Sequence, residues 1–336
     1  MEQQSTAALE VSNLNVQYKS DEDIVYAVNG IDIHLEKGKA LGLVGETGAG
    51  KTTTCLSILR LIPEPPGKIV DGSVKLNGRE ILTLSEHEME KIRGKEISMI
   101  FQDPMTALNP SMTVGDQIAE VISVHEKLTK TQLRKRTIEM LELVGIPGER
   151  CGDYPHQFSG GMKQRVVIAI ALACNPDILL ADEPTTALDV TIQAQVLETI
   201  RRLREKYHTA MLLVTHDLGV VAENCDEVSV VYAGRVVEHG TLDDVYNHTR
   251  HPYTQGLFNS LPNPGDRCHE LKPIPGLMPD PSDLPSGCPF HPRCEYATEI
   301  CRQQLPSKLY RTPNHFVTCH LYDQDSVVKG GKIGNE

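Results

Sequence analysis

The sequence predicts an α/β chain with four parts: a phosphate-loop core of parallel strands, an N-terminal antiparallel β subdomain, a helical insertion, and a small loop-rich C-terminal extension that carries cysteines. Three observations predict it. Short, wholly apolar runs at 40–44 and 178–181 are each followed by a helical pattern, as buried parallel strands are. Between the first run and its helix stands Gly45-Glu46-Thr47-Gly48-Ala49-Gly50-Lys51-Thr52, which fits G-x-x-x-x-G-K-[ST] at every fixed position. Beyond residue 257 the composition changes: 11 of the 21 prolines fall in 258–336, and periodic patterning fades. A length of 336 residues suits two such units, 1–257 and 258–336.

The elements follow in order. Apolar segments at 14–18, 25–28 and 31–35 alternate with polar residues and predict antiparallel strands leading to the loop. Tyr18, upstream of the loop, could stack on a base or be an ordinary strand tyrosine. In the loop itself, glycines let the backbone wrap phosphate oxygens, and the loop amides and helix start present partial positive charge to the anion. Lys51 would reach the β- and γ-phosphates, and the Thr52 hydroxyl would ligate Mg²⁺. Cys55, Ile58, Leu59 and Ile62 recur at helical spacing, and Pro63 marks the stop. Asn77-Gly78 predicts a hairpin within 70–84.

The apolar strand at 97–101 ends in Gln102-Asp103-Pro104, where an amide would lie near Mg²⁺ or the attacking water. Residues 105–158 read as a mainly helical insertion, with Leu133, Ile138, Leu141 and Val144 on one face and Gly145 at a helix end. Ser159 can cap the next helix, and Gly160 and Gly161 leave its first amides bare. That is a second candidate anion-binding helix start, although an ordinary cap has the same sequence. The strand at 178–181 ends in Asp182-Glu183. Asp182 suits holding Mg²⁺ through water, and Glu183 suits polarising the attacking water as general base. Ala187-Leu188-Asp189 opens a helix with Ile192, Val196, Ile200 and Leu203 on one side. The strand at 211–214 leads to His216, placed to bond a γ-phosphate, and 228–232 with 235–238 form a closing hairpin across Ala233-Gly234.

Composition narrows the function. Asp and Glu number 45 against 33 Lys and Arg, a net charge of −12, which disfavours a general nucleic-acid surface but not a nucleotide. Residues 1–12 have neither a basic start nor an apolar core, so no signal peptide is expected. The longest apolar run, 166–174, is too short to span a bilayer, so the expectation is a soluble or peripheral protein.

The nine cysteines are unevenly placed. Cys288, Cys294, Cys301 and Cys319 cluster in the extension, while Cys55, Cys151, Cys174, Cys225 and Cys268 are scattered and read as structural. A small loop-rich segment needs a staple. Four thiolates suit zinc or a [4Fe–4S] cluster. The first two gaps, five and six residues, exceed the C-x₂₋₄-C spacing usual for zinc. Disulfides are a third reading, which a chain without an export signal disfavours.

Taken together, these motifs resemble those of the ATPase subunits of ATP-binding-cassette (ABC) transporters, over roughly 8–253. Residues 45–52 match Walker A, 178–183 Walker B, and Ser159-Gly160-Gly161 the ABC signature. Gln102, Asp189 and His216 match the Q-, D- and H-loop residues, and Tyr18 the adenine-stacking aromatic. The signature reads SGGM rather than SGGQ, and Met162 cannot supply the side-chain amide. The resemblance implies a RecA-like core with a helical insertion at about 103–165. It implies ATP bound by Tyr18, Gly45, Glu46, Thr47, Gly48, Ala49, Gly50, Lys51, Thr52 and Thr53, Mg²⁺ at Thr52, Gln102 and Asp182, and catalysis by Glu183, His216 and Gln102. It also implies that Ser159, Gly160, Gly161 and Asp189 act on the ATP of a second ATPase subunit, in a head-to-tail pair.

The extension, with His251-Pro252-Tyr253-Thr254 before it, resembles that of oligopeptide, dipeptide and nickel importer ATPases, which implies a [4Fe–4S] cluster on Cys288, Cys294, Cys301 and Cys319. The partners so implied are a related but non-identical ATPase, two membrane permeases and, indirectly, a substrate-binding protein, with the chain peripheral on the cytoplasmic face of the membrane. Dipeptides, oligopeptides and nickel chelates all remain possible cargo. Two rivals stand beside this reading: a soluble ABC-type ATPase acting on ribosomes or DNA, and a tail that serves as a redox module.

Overall fold

The computed structural model describes residues 7–20, 23–186, 188–260 and 272–323. Cys268 and Ala187 lie outside them. Among the described residues there are twelve strands: β1 (Ala7–Lys19), β2 (Ile24–Glu36), β3 (Ala40–Val44), β4 (Gly67–Leu76), β5 (Arg79–Glu80), β6 (Ile97–Ile100), β7 (Ile178–Asp182), β8 (Ala210–Thr215), β9 (Glu227–Tyr232), β10 (Arg235–Thr241), β11 (Leu309–Thr312) and β12 (His315–Val317). The helices are α1 (Lys51–Ile58), α2 (Glu86–Ile92), α3 (Pro104–Ala107), α4 (Val114–His125), α5 (Lys130–Leu143), α6 (Gly160–Leu172), α7 (Val190–Tyr207), α8 (Leu218–Asn224), α9 (Leu242–Tyr246), α10 (Pro252–Asn259) and α11 (Glu299–Gln303).

Two sheets form. The N-terminal one is antiparallel, in the order β2-β1-β4-β5. The larger runs β11-β12-β10-β9-β3-β8-β7-β6, with β6, β7, β8, β3 and β9 parallel. The parallel strands are buried on both faces, and period-2 alternation sends their side chains to two cores. Leu41, Leu43, Leu180, Leu212 and Val214 join Leu9, Leu14 and Ile58 beneath the N-terminal sheet. Val44, Leu179, Met211 and Leu213 join Ile118, Leu141 and Ile168 of the helical side. Gly42 of β3 is required by this packing, because a Cβ there would stand 2.6 Å from Val221 of α8.

Three features depart from the sequence reading. The apolar segments 25–28 and 31–35 belong to one strand, β2, with Gly30 at a positive φ of 84° between them. Helix α1 ends at Ile58, well before Pro63. Arg60 takes φ 53°, and the amides of Arg60 and Leu61 return to the carbonyls of Ser57 and Leu56, a Schellman closure without glycine. Finally, the extension adds strands to the core sheet. β12 pairs with β10 through Glu238↔Val317 and His239↔Phe316, and β11 pairs with β12. Phe290 and Phe316 are buried in the two cores, and Val317 is buried as well.

The turns anticipated from sequence are present. Asn77-Gly78 joins β4 to β5, and Ala233-Gly234 joins β9 to β10. Gly145, at φ 76°, closes α5 with amide bonds from Gly145 and Ile146 to Glu142 and Leu141.

Candidate nucleotide-binding site

The loop between β3 and α1 is shaped by close approach. A Cβ on Gly45 would run into the Val231 carbonyl. Gly50, at φ 98°, has no room for one against Ala27. Substitution at either would push the loop off the strands beneath it. Lys51 opens α1 and is 5% exposed. Its Nζ donates to the carbonyls of Gly45 (2.8 Å) and Glu46 (2.9 Å). Burial lowers its pKa, and the carboxylates of Glu183, Asp182 and Glu46 pull the other way.

The acids at the end of β7 take different surroundings. Asp182 is buried and accepts a 3.1 Å bond from the Thr52 hydroxyl. Burial raises its pKa, against the Thr52 bond. Two hard oxygen donors, one anionic, side by side at a helix start fit Mg²⁺. Glu183 turns away on a left-handed backbone, φ 45°, which costs about 1 kcal/mol for a residue with a Cβ. Its Oε2 accepts from Gln102 Nε2 (3.0 Å) and Thr186 Oγ1 (2.8 Å), and His216 Nδ1 stands 3.4 Å from Oε1. Burial pushes its pKa up, but the Thr186 and His216 bonds and the His216 and Lys51 charges outweigh it, so the net shift is downward. At neutral pH Glu183 is therefore an ionised acceptor.

The fold thus brings Lys51, Thr52, Asp182, Glu183, Gln102 and His216 together from four separate segments. Others stand apart. Tyr18 lies in β1 with its ring over Gly67, paired across to Val25 and Gly67. Ser159 caps α6 by accepting the Met162 amide (3.4 Å), and Asp189 caps α7 by accepting that of Ile192 (3.1 Å). Ser159 and Gly160 are exposed. Gly161 lies so close to Ile192 that α6 and α7 could not pack as they do with a Cβ there. Among the described residues, no hydrogen bond or ion pair joins Ser159, Gly160, Gly161 or Asp189 to the loop. Met162 instead places its sulfur 3.5 Å from the Arg150 guanidinium, which also covers the Phe158 ring.

Sequence reasoning missed four residues here. Thr186 bonds the base. Gln164 donates to the Pro184 carbonyl (2.6 Å), tying α6 to the turn after Glu183. Tyr253 accepts the Glu46 amide at its hydroxyl (2.9 Å), and Arg293 pairs with the Glu46 carboxylate. Only Thr186 offered a local signal, three residues from Glu183.

The four cysteines of the extension are free thiols. Burial raises the pKa of Cys294 to about 11 and of Cys319 to about 12. Cys319 also feels the other three thiols, and Cys294 feels Cys288 and Cys301, so the four face a common region. Among the described residues, however, no three His, Cys, Asp or Glu side chains converge as ligands of a single ion.

Comparison with known proteins adds independent findings. Residues 28–186 match the family model described as ABC transporter, and 237–301 match the oligopeptide/dipeptide transporter C-terminal region. The oligopeptide transport ATP-binding protein AppD of Bacillus subtilis is 48% identical over 321 residues, 95% of this chain and 98% of the relative. The dipeptide transport ATP-binding protein DppD of the same organism is 49% identical over 318 residues, 94% and 95% of the two chains. Among solved structures, the ATP-binding cassette MJ0796, a dimer in a post-hydrolysis state bound to ADP and Pi, superposes with a TM-score of 0.63 at 29% identity, covering 70% of this chain and 98% of that one.

Proposed function

The chain belongs to the ABC transporter family, with the ATP-binding subunits of oligopeptide and dipeptide transporters, and from that premise we propose that it hydrolyses ATP to drive peptide import through membrane permeases. The observation that carries the chemistry is the joining of Thr52 to Asp182 beside a Glu183 held by Gln102, Thr186 and His216.

The loop amides and Lys51 bind the phosphates. Thr52, Asp182 and Gln102 are the residues that would hold Mg²⁺, which when bound would offset the negative charge of the phosphates. Glu183 accepts a proton from water, whose oxygen attacks the γ-phosphorus as the bond to ADP breaks. His216 and Gln102 hold the carboxylate oxygens of Glu183 in place. Tyr18 stacks on the adenine. Ser159, Gly160, Gly161 and Asp189 complete the ATP site of a second, related ATPase, and that chain completes this one. The helical insertion passes closure of the pair to two permeases, which a substrate-binding protein supplies. We place the chain on the cytoplasmic face of the membrane. No described helix is long and apolar enough to cross a bilayer. In proteoliposomes with its permeases and partner ATPase, a labelled dipeptide or oligopeptide should accumulate only with MgATP. ATP hydrolysis without uptake of either would overturn the reading.

We further propose a [4Fe–4S] cluster on Cys288, Cys294, Cys301 and Cys319. Four thiols of one small segment, Cys319 buried and the other three half-buried, support it. A single zinc, at Zn–S distances of about 2.3 Å, needs a tighter convergence, whereas a cluster binds each thiolate at a different iron. When bound, the cluster would cross-link the extension. Anaerobically purified protein should contain about four iron and four sulfide per chain. One zinc without iron, or no metal, would contradict the cluster.

A further inference from the structure

Glu46, the first variable residue of the phosphate loop, is held on three sides. Its carbonyl accepts from Lys51 Nζ, and its amide donates to the Tyr253 hydroxyl. Its carboxylate is gripped bidentately by Arg293, Nη1 to Oε2 at 2.7 Å and Nη2 to Oε1 at 3.1 Å. Arg293 comes from 247 residues away, at the end of the single turn His291–Arg293 between Cys288 and Cys294. It is itself fixed. Its side chain is 5% exposed, Nε donates to the Pro275 carbonyl (2.9 Å), and Nη1 lies 3.4 Å from the Tyr232 hydroxyl. Tyr232 meets Tyr253 and Phe290 edge to face beside this link, and Tyr253 lies tilted against Phe290.

The charge arrangement gives the link a purpose. The Glu46 carboxylate acts on Lys51, the cation of the phosphate loop. Without Arg293 it would present an unpaired negative charge beside a polyanion. A bidentate guanidinium cancels that charge and fixes the loop backbone in one arrangement.

We propose that the C-terminal extension completes the nucleotide site, with Arg293 as a positioning residue that orients Glu46 and neutralises it beside the phosphates. This rests on the nucleotide-binding reading above. It makes order in the cysteine segment a condition for nucleotide affinity.

Full-length protein is titrated with a fluorescent ATP analogue, and KM and kcat for ATP are measured alongside in the pair with its partner ATPase, for wild type, Arg293→Ala, Arg293→Lys, Glu46→Gln and the Arg293→Ala/Glu46→Gln pair. Arg293→Ala should weaken analogue binding and raise KM about tenfold, with kcat within about twofold. Arg293→Lys should recover part of the loss, since it restores the charge but not the fork. Glu46→Gln in the Arg293→Ala background should bring affinity back to within about threefold of wild type, because the offending charge is gone. The Arg293→Ala defect should also shrink as salt rises. Wild-type affinity in Arg293→Ala overturns the proposal. So does failure of Glu46→Gln to rescue, which would make the pair a structural staple only. If Arg293→Ala does not fold, Arg293→Gln takes its place, alone and with Glu46→Gln. Failure of wild type to bind the analogue would instead overturn the nucleotide reading itself.

Discussion

The chain contains two glycine-opened helix starts, at α1 and at α6, and they differ in everything but sequence type. The start of α1 is surrounded. A buried lysine folds over the loop, a buried aspartate holds the Thr52 hydroxyl, and Glu183 stands alongside with its own partners. Beneath it, Tyr253 and Arg293 brace the loop from outside. The start of α6 is bare. Ser159 and Gly160 are exposed, and the helix behind them is tied back through Gln164, Arg165 and the Gly161–Ile192 contact. Partial charge at a helix N-terminus is common to both. A catalytic site additionally needs a buried cation, a metal-ligating acid and a base, and only α1 has these. One start thus carries the groups that do the chemistry, whereas the other is an exposed cap without them; on the reading proposed above, each is half of a site that a second chain finishes.

The largest effect that could break this comparison lies at Glu183. Glu183→Gln should cut ATP hydrolysis by about 10²–10⁴-fold while nucleotide still binds, read as phosphate release beside analogue titration. A wild-type turnover rate would show the base to be misassigned and the α1 site incomplete.

A smaller effect probes the scaffold that α1 has and α6 lacks. His251 Nδ1 accepts the Tyr253 amide, and burial pushes the His251 pKa down to about 4. The unfolded histidine binds its proton from about pH 6.5, but the folded one only near 4. Stability is therefore full above pH 6.5, falls as pH drops, and levels off near 4. The loss is on the order of 3 kcal/mol at full effect. His251→Asn, which keeps an acceptor for the helix cap, should flatten this slope in denaturant melts across that window. His239, likewise pushed to about 4, retains part of it. An unchanged slope would mean that the loop's floor does not depend on neutral His251.

Much of the α1 half was legible in the sequence because its signals are local. The loop glycines, the strand before them, the acids after β7 and the Ser159 and Asp189 caps are all set by spacing within a few residues. What was not legible is long-range. The Schellman closure at Arg60 uses a residue with no turn preference, so Pro63 gave the wrong helix end. Strands β11 and β12 carry too little pattern to announce that they extend the core sheet. The Arg293–Glu46 pair spans 247 residues, and a lone arginine between prolines and cysteines gives no hint of its partner. The exposure of Ser159 could not be read at all, since a cap serving its own helix and one serving another chain's nucleotide have the same sequence.

The most direct test sets the two helix starts side by side: nucleotide binding to the isolated chain, by analogue titration, for Lys51→Ala and Ser159→Arg. Lys51→Ala should lose about tenfold or more in affinity, because a buried cation leaves the phosphates. Ser159→Arg should bind as wild type does if, as proposed, its helix serves a different nucleotide. Loss of binding in Ser159→Arg, or retention in Lys51→Ala, would contradict the division of labour between the two.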